Sequence, residues 1–474
     1  MMHRLEGATK RFLVWVIFVT VCAGCQMHAP RVKPALVEEG EVFLYLEPFS
    51  VDARALRFSL DKVAAVRSDG VETPLTLNIA EVKGTESDRQ RLLASGVLPP
   101  GSYQGFSVTA RKAFLTAEGG EVPLVVSDTA VKVPVSFEVR RKQGTVFSLN
   151  LPFKESVRAR ASFRPALVAM IPPLPVISLT GYVTNAGSNT ITVFDKREGA
   201  VRRVIVTGQE PKGLALDQGR LKAYVAISGE DAVDVIDTRS HEIINRIRLT
   251  YSDRPGEIAL TPDGKTLLTV NTGTNTVSFV DTDALLEVAR VSIGTVPRSI
   301  LLDPTGSRAY IFNYLSSNIK VIDIARRTVV ATITTDAGPL RGRFNHQGDK
   351  LLVVHELSPY FLVLDPATGA VLNKVYIGFG SSSIGVDTLT NLIYLGRKSD
   401  PIVEIYSPFS LIPADFLKGA GGPWYMLFDG EMNSILLVLP DQKALQSINL
   451  ISKRPNFAVD LGDQPFWATI MGER

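Results

Sequence analysis

Between Gly181 and Val201 the chain reads GYVTNAGSNTITVFDKREGAV, two runs of alternating apolar and polar residues parted by a small polar cluster. That pattern predicts two half-buried strands joined by a tight turn. It returns 42 residues later as AYVAISGEDAVDVIDTRSHEI. Two markers count the repeats. An Asp closes the second strand at Asp195, Asp237, Asp281, Asp323 and Asp365, at spacings of 42, 44, 42 and 42, and Tyr406 and Asn449 keep that register to within a residue. Independently, Pro211, Pro255, Pro297, Pro339, Pro423 and Pro465 recur, with Ser381 in the one slot left open. Both series have seven members.

A unit of this length holding four short strands and no helical period predicts a β-propeller blade and excludes a helical solenoid. For one blade the strands are GLALD, AYVAI, AVDVID and EIINRIRL. Pro at the first residue of the innermost strand is tolerated because little is lost with its N–H there. SNT, GED and PDG supply turn chemistry. The series starts and ends out of phase. It opens at GYVTN, a second strand with no inner strand before it, and closes at QPFWATIM, an inner strand with nothing after it. The end supplies what the start lacks, so seven repeats are expected to close a seven-bladed ring, with Phe466 to Ile470 pairing beside the strand that begins at Gly181.

Upstream, residues 41–165 alternate in short runs such as EVFLYLEPF, ALRFSLDKVAAV, VPVSFEVRR and GTVFSLNL, separated by turns such as LPPGSY. They predict a β-sandwich of about seven or eight strands. PALVAMIPPLPVIS, Pro-rich, reads as a linker. The expected plan is all-β: a signal over 1–24, a tether over 25–40, a sandwich over 41–165, a linker over 166–178 and a propeller over 179–474.

The first residues carry an address. Arg4, Lys10 and Arg11 precede the apolar run FLVWVIFVTV, which is too short to span a bilayer comfortably, and CAGC ends it. Without this signal the chain's 51 Lys+Arg and 48 Asp+Glu become 48 and 47, so nothing in the charge suggests nucleic acid. The two cysteines, Cys22 and Cys25, both fall at the signal's end, leaving no disulfide to staple the folded part. Ala23, Gly24 and Cys25 resemble the lipobox of bacterial lipoproteins, although Cys22 stands where Leu is usual. The resemblance implies acylation of Cys25, membrane lipid as a partner and, with Gln26 rather than Asp next, an envelope location at the outer membrane on its periplasmic or surface face.

Candidate chemistry is sparse. His241, His346 and His355 occupy different blade positions with no metal-ligand spacing, so no metal or cofactor is expected. His355 takes the place of the repeat's Asn and reads as a polar turn residue. The repeated Asp residues read as turn acceptors rather than catalytic carboxylates. No nucleophile elbow, phosphate loop or haem attachment pattern appears. One constellation is assembled by the ring itself. The joints around each Pro surround one mouth of the channel, and residues one or two after the Pro slot include Lys212, Arg298, Arg341, Trp424, Tyr425, Phe466 and Trp467. Cations facing aromatic rings suit a small anionic or ring-containing ligand, or an Arg-to-Trp lock that plugs the channel.

YVTN followed by SNTITVFD, with Tyr182, Tyr224 and Tyr310 and with Asn185, Asn271 and Asn313 in register, resembles the YVTN-type β-propeller family of secreted and surface proteins. Leu352, Ile393 and Leu436 depart from its Tyr. VLPPGSYQGFSVTARKAFLTAEG resembles a bacterial β-sandwich domain of unknown function found at the start of secreted lipoproteins. The propeller resemblance implies a ring-shaped scaffold whose relatives include lactonases and subunits of periplasmic redox enzymes. Three readings follow: a lipid-anchored module that binds or scaffolds an envelope protein or small ligand, with the sandwich as a spacer from the membrane; a lactonase-like hydrolase using an Arg and a carboxylate at the mouth; and a redox or cofactor-related propeller, weakened by the missing histidines.

Overall fold

The computed structural model describes residues 33–117 and 120–473, so the signal, Cys25 and His28 lie outside the described residues. From Thr180 onward the chain forms seven four-stranded antiparallel sheets. Numbered as blades, they are blade 1 (Thr180–Val206 with Pro465–Ile470), blade 2 (Pro211–Arg248), blade 3 (Pro255–Ser292), blade 4 (Pro297–Thr334), blade 5 (Pro339–Tyr376), blade 6 (Ser381–Lys418) and blade 7 (Tyr425–Asp460). The first strand of each packs against the first strand of the next, and Pro465–Ile470 touches Pro211–Asp217, which closes the circle. The closing strand pairs as the phase predicted: Gly181 with Ile470, Tyr182 with Thr469, Val183 with Ala468 and Thr184 with Trp467. Chain ends almost 300 residues apart thus share one sheet, and no inner edge is left open at the seam.

The recurring carboxylates cap turns. Asp195 Oδ1 accepts the N–H of Arg197 (2.8 Å) and of Glu198 (3.0 Å), and Asp237 and Asp281 repeat the arrangement. Those backbone donors hold the carboxyls of Asp237, Asp281 and Asp323 below the usual carboxylate range. In blade 6 the acceptor is Ser407 Oγ, so the register runs through Ser407 and not Tyr406. Four residues after each acceptor the backbone turns left-handed in all seven blades, at Gly199, His241, Leu285, Arg327, Gly369, Leu411 and Lys453. A Gly there is helpful but not required, which is why the Asp series was easier to read than a glycine series. The Pro slot opens the inner strand in five blades; in blade 7 Pro423 stands two residues ahead of the strand Tyr425–Asp429.

The N-terminal region packs a five-stranded sheet on an eight-stranded one, more strands than the alternation predicted, because several are only two or three residues long. Part of the expected linker is one of them: Val168–Met170 pairs with Ser148–Asn150 at a sheet edge. Phe106, Phe137 and Phe147 meet in the core with ring centroids 4.7 to 5.3 Å apart.

The strand Gly40–Leu46 is buried along its whole length. Val42, Leu44 and Leu46 point into the sandwich core, whereas Phe43 and Tyr45 join Leu92 and Val146 against Val201, Val204, Leu445 and Val459 of blades 1 and 7. Charge fixes the same contact. Asp460 accepts from Arg89 (2.6 Å), Arg91 (2.9 Å) and the N–H of Leu92 (3.1 Å), while Gln90 Oε1 accepts the N–H of Val201 at 2.7 Å. The sandwich is therefore docked on the propeller's flank.

Candidate functional site

Arg341, two residues after Pro339, lies in blade 5, yet its guanidinium reaches Glu257 of blade 3 at 2.9 and 3.1 Å and donates to the Trp424 carbonyl beside blade 7 at 2.8 Å. Only the central channel connects those positions. The guanidinium also lies 4.9 Å from the centroid of Trp424, 5.1 Å from Tyr425 and 5.6 Å from Trp467. Tyr425 and Trp467 stack on each other at 4.0 Å, and Trp424 leans on Phe466 at 5.7 Å. The ion pair is almost closed to water, with side-chain exposures of 4% for Arg341 and 3% for Glu257. Burial pushes the Glu257 carboxyl up, against the pull of Arg341 and Arg343. Burial likewise raises the Tyr425 hydroxyl, which accepts from Arg343 at 3.2 Å.

Five of the seven residues read from the sequence thus converge: Arg341, Trp424, Tyr425, Phe466 and Trp467 fill the channel mouth. The other two stay on its rim. Lys212 donates to Ser228 Oγ at 3.1 Å and faces Glu210 at 3.4 Å, with burial lowering its ammonium. Arg298 is exposed and lies 4.9 Å over the ring of Tyr314. Sequence reasoning missed Glu257 and Arg343. Glu257 follows Pro255 by two residues, the same place that Arg341 holds after Pro339, so the rule that found the cation contained its carboxylate; attention to cations and rings alone passed over it.

His355 and His241 are held inside their blades, whereas His346 is exposed on a turn. His355 is fully buried, with Nδ1 3.1 Å from the Tyr360 carbonyl, and burial brings it down to about 4. His241 does the same against the Tyr182 hydroxyl at 3.1 Å. Among the described residues no cluster of His, Cys, Asp and Glu has the makings of a metal site. Open volume lies elsewhere: clefts of about 690 and 600 Å³ run along the seam between the sandwich and blades 1 and 7.

The fold and its filled mouth define a seven-bladed β-propeller with a docked sandwich. Residues 182–338 match the family model of a lactonase, 7-bladed beta-propeller. No curated protein matches the chain at a significant level. Among solved structures it is similar to a functionally unknown protein from Desulfotomaculum acetoxidans, at 13% identity and a TM-score of 0.55, over 62% of this chain and 99% of that one. It is also similar to the dihydro-heme d1 dehydrogenase NirN in complex with DHE, at 13% identity and a TM-score of 0.51, over 64% and 77% of the two chains. At such identities the likeness is one of fold.

Proposed function

We propose that this protein is a lipid-anchored envelope propeller that binds or scaffolds a partner on its mouth face and performs no chemistry in the channel. The observation that carries the reading is the enclosure of Arg341. Each of its three nitrogens is engaged, by a buried carboxylate or a carbonyl, and three rings surround a guanidinium whose side chain is only 4% exposed, so it offers a substrate little. Its role is the lock, and it joins blades 3, 5, 7 and 1 across the axis. Binding then falls to the rim, where Arg298 is exposed and Lys212, although held by Glu210 and Ser228, is partly open to water, for a small anionic ligand or an acidic segment of an envelope protein. In a pull-down from solubilised envelope, the wild-type chain should retain a partner that Lys212→Ala/Arg298→Ala loses at unchanged melting temperature. A partner mapping wholly to the sandwich would remove this reading.

A second reading, a lactonase-like hydrolase, is favoured by the family-model match. The matched residues 182–338 contain Glu257 and Arg298 but stop short of Arg341. Assay of the purified chain on simple, acyl-homoserine and sugar-acid lactones separates the two. Binding alone predicts no turnover above buffer, whereas turnover that Glu257→Gln abolishes would establish the hydrolase.

A further inference from the structure

Lys33 does not stand off from the propeller. Its N–H donates to the Gly187 carbonyl at 3.1 Å, and its own carbonyl accepts from Asn189 Nδ2. Both partners lie in the turn between the second and third strands of blade 1, which also bonds Asp463 and Gln464 just ahead of Pro465. The chain therefore enters the described structure on the mouth face, the face where the inner strands begin.

That face carries exposed apolar tips far from the sandwich. Tyr251 is 87% exposed, Phe379 66%, Leu315 60% and Leu357 51%. They sit in the joints or turns before Pro255 and Ser381 and beside Thr295 and Gly338, distributed over blades 2 to 6. Large apolar side chains held at loop tips on one side of a protein mark a contact surface. The opposite face has its own exposed group, Phe409 and Ile451 among it, so exposure alone does not choose between them; the tether does. From Cys25 to Lys33 there are eight residues, which as a coil span about 16 Å on average and no more than ~29 Å fully stretched. The blade strands of six residues are themselves about 20 Å tall before any turn is added. An acyl chain on Cys25 would accordingly hold the mouth face nearest the bilayer, and turning the opposite face down would draw the tether taut.

We propose that the mouth face of the propeller docks on the lipid surface, with Tyr251, Leu315, Leu357 and Phe379 entering the headgroup layer; this rests on the reading of Cys25 as the acylated anchor, and it narrows the rim's partner to a small anionic ligand or a membrane-embedded protein met at that surface. Arg254 and Arg298 share the rim with Asp231 and Glu356, so contact is chiefly apolar and little weakened by salt. The sandwich, entered only after Lys33, stands beside the propeller and is not a spacer beneath it.

The mature chain has no cysteine besides the anchor, so single positions can be labelled. Acylated protein carrying Leu315→Cys, Phe379→Cys or Phe409→Cys with an environment-sensitive dye is reconstituted on phosphatidylethanolamine/phosphatidylglycerol vesicles containing nitroxide lipid. Blue-shifted, lipid-quenched emission at 315 and 379 and neither change at 409 is the expected result, unaltered by raised salt. Protein that floats with vesicles but is quenched only at 409, or nowhere, overturns the docking and leaves the anchor standing. Shielding of 315 and 379 from a soluble quencher without lipid quenching points to a protein cover and overturns it too. Protein that fails to float sinks the anchor, and the docking falls with it.

Discussion

Blade 1 and blade 4 share one architecture and are assembled differently. Blade 4 is continuous from Pro297 to Thr334, and its outermost strand, Thr328–Thr334, faces water along most of its length. Blade 1 borrows its innermost strand from the far end of the chain, and its outermost strand, Ala200–Val206, is largely buried under the sandwich. Every strand of blade 4 reaches the next through a local hairpin. Blade 1 must recruit a strand across almost the whole ring, at a loop-closure cost that a hairpin does not bear. Extra contacts accumulate at that seam. Trp467 packs into the apolar layers on both sides of its blade. Lys196, with its side chain 0% exposed, bridges Asp429 (3.3 Å), Glu431 (3.0 Å) and the Met471 carbonyl (2.9 Å). Reinforcement is placed where the topology is weakest.

Breaking the seam should therefore cost most. Deleting everything after Asp463 removes Phe466, Trp467, Ala468 and Ile470 and bares the edge of Thr180–Asn185. Each large apolar side chain is worth about 1.5–3 kcal/mol when buried, so the sum approaches a typical domain stability of about 5–15 kcal/mol. The truncated chain should aggregate, as read by size-exclusion chromatography; a monomer melting like the full chain would contradict closure by this strand. Lys196→Met comes next. It strands Asp429, 1% exposed in its side chain, without its cation, a loss on the order of 3–5 kcal/mol. Adding Asp429→Asn should recover part of the melting temperature, whereas the equivalent change at the exposed Arg326 of blade 4 should leave it unmoved.

The sandwich contact is weaker and sharper to test. Asp460→Ala deprives Arg89, Arg91 and the Leu92 N–H of their shared acceptor, for about 1.5–3 kcal/mol. Protease sites at the seam should open before the global melt. If the sandwich supports blade 1, hydrogen exchange should quicken in Ala200–Val206 and stay unchanged in Thr328–Thr334.

How much of this was legible follows from what each residue faces. Ring closure could be read because phase is a property of order along the chain, and Pro marks it in six of the seven repeats and Asp in five. The docked sandwich was harder to see: EVFLYLEPF reads as one more alternating run, yet its VFLYL is continuously apolar, the sign of a strand buried on both faces, and Phe43 and Tyr45 face the propeller. The mouth residues were found by their offset from Pro. Their enclosure was not, since whether Arg341 is open or sealed depends on Glu257, which lies 84 residues away and meets it only across the axis.

The smallest effect expected at neutral pH tests whether blade 5 differs from its neighbours through one residue. Where blades 1 and 3 have Asn185 and Asn271, each donating to two hydroxyls of the same hairpin, blade 5 has His355. Its Nδ1 is engaged by the Tyr360 carbonyl, but Nε2 is buried without a partner among the described residues. Burial lowers the imidazole from its ordinary 6.5 to about 4, with Asp336 pulling upward and Lys374 downward. The unfolded chain binds the proton first, so stability is complete above pH 6.5 and declines as pH falls toward about 4. The slope is at most about 1.4 kcal/mol per pH unit for this group, and His241, also lowered to about 4, adds a second contribution of the same sign. His355→Asn should leave the melting temperature at pH 7.5 nearly unchanged and flatten its fall between pH 6.5 and 4, with His241 accounting for what remains. Parallel curves for the variant and the parent would mean that His355 is already charged in the fold, and that its buried Nε2 has an acceptor after all.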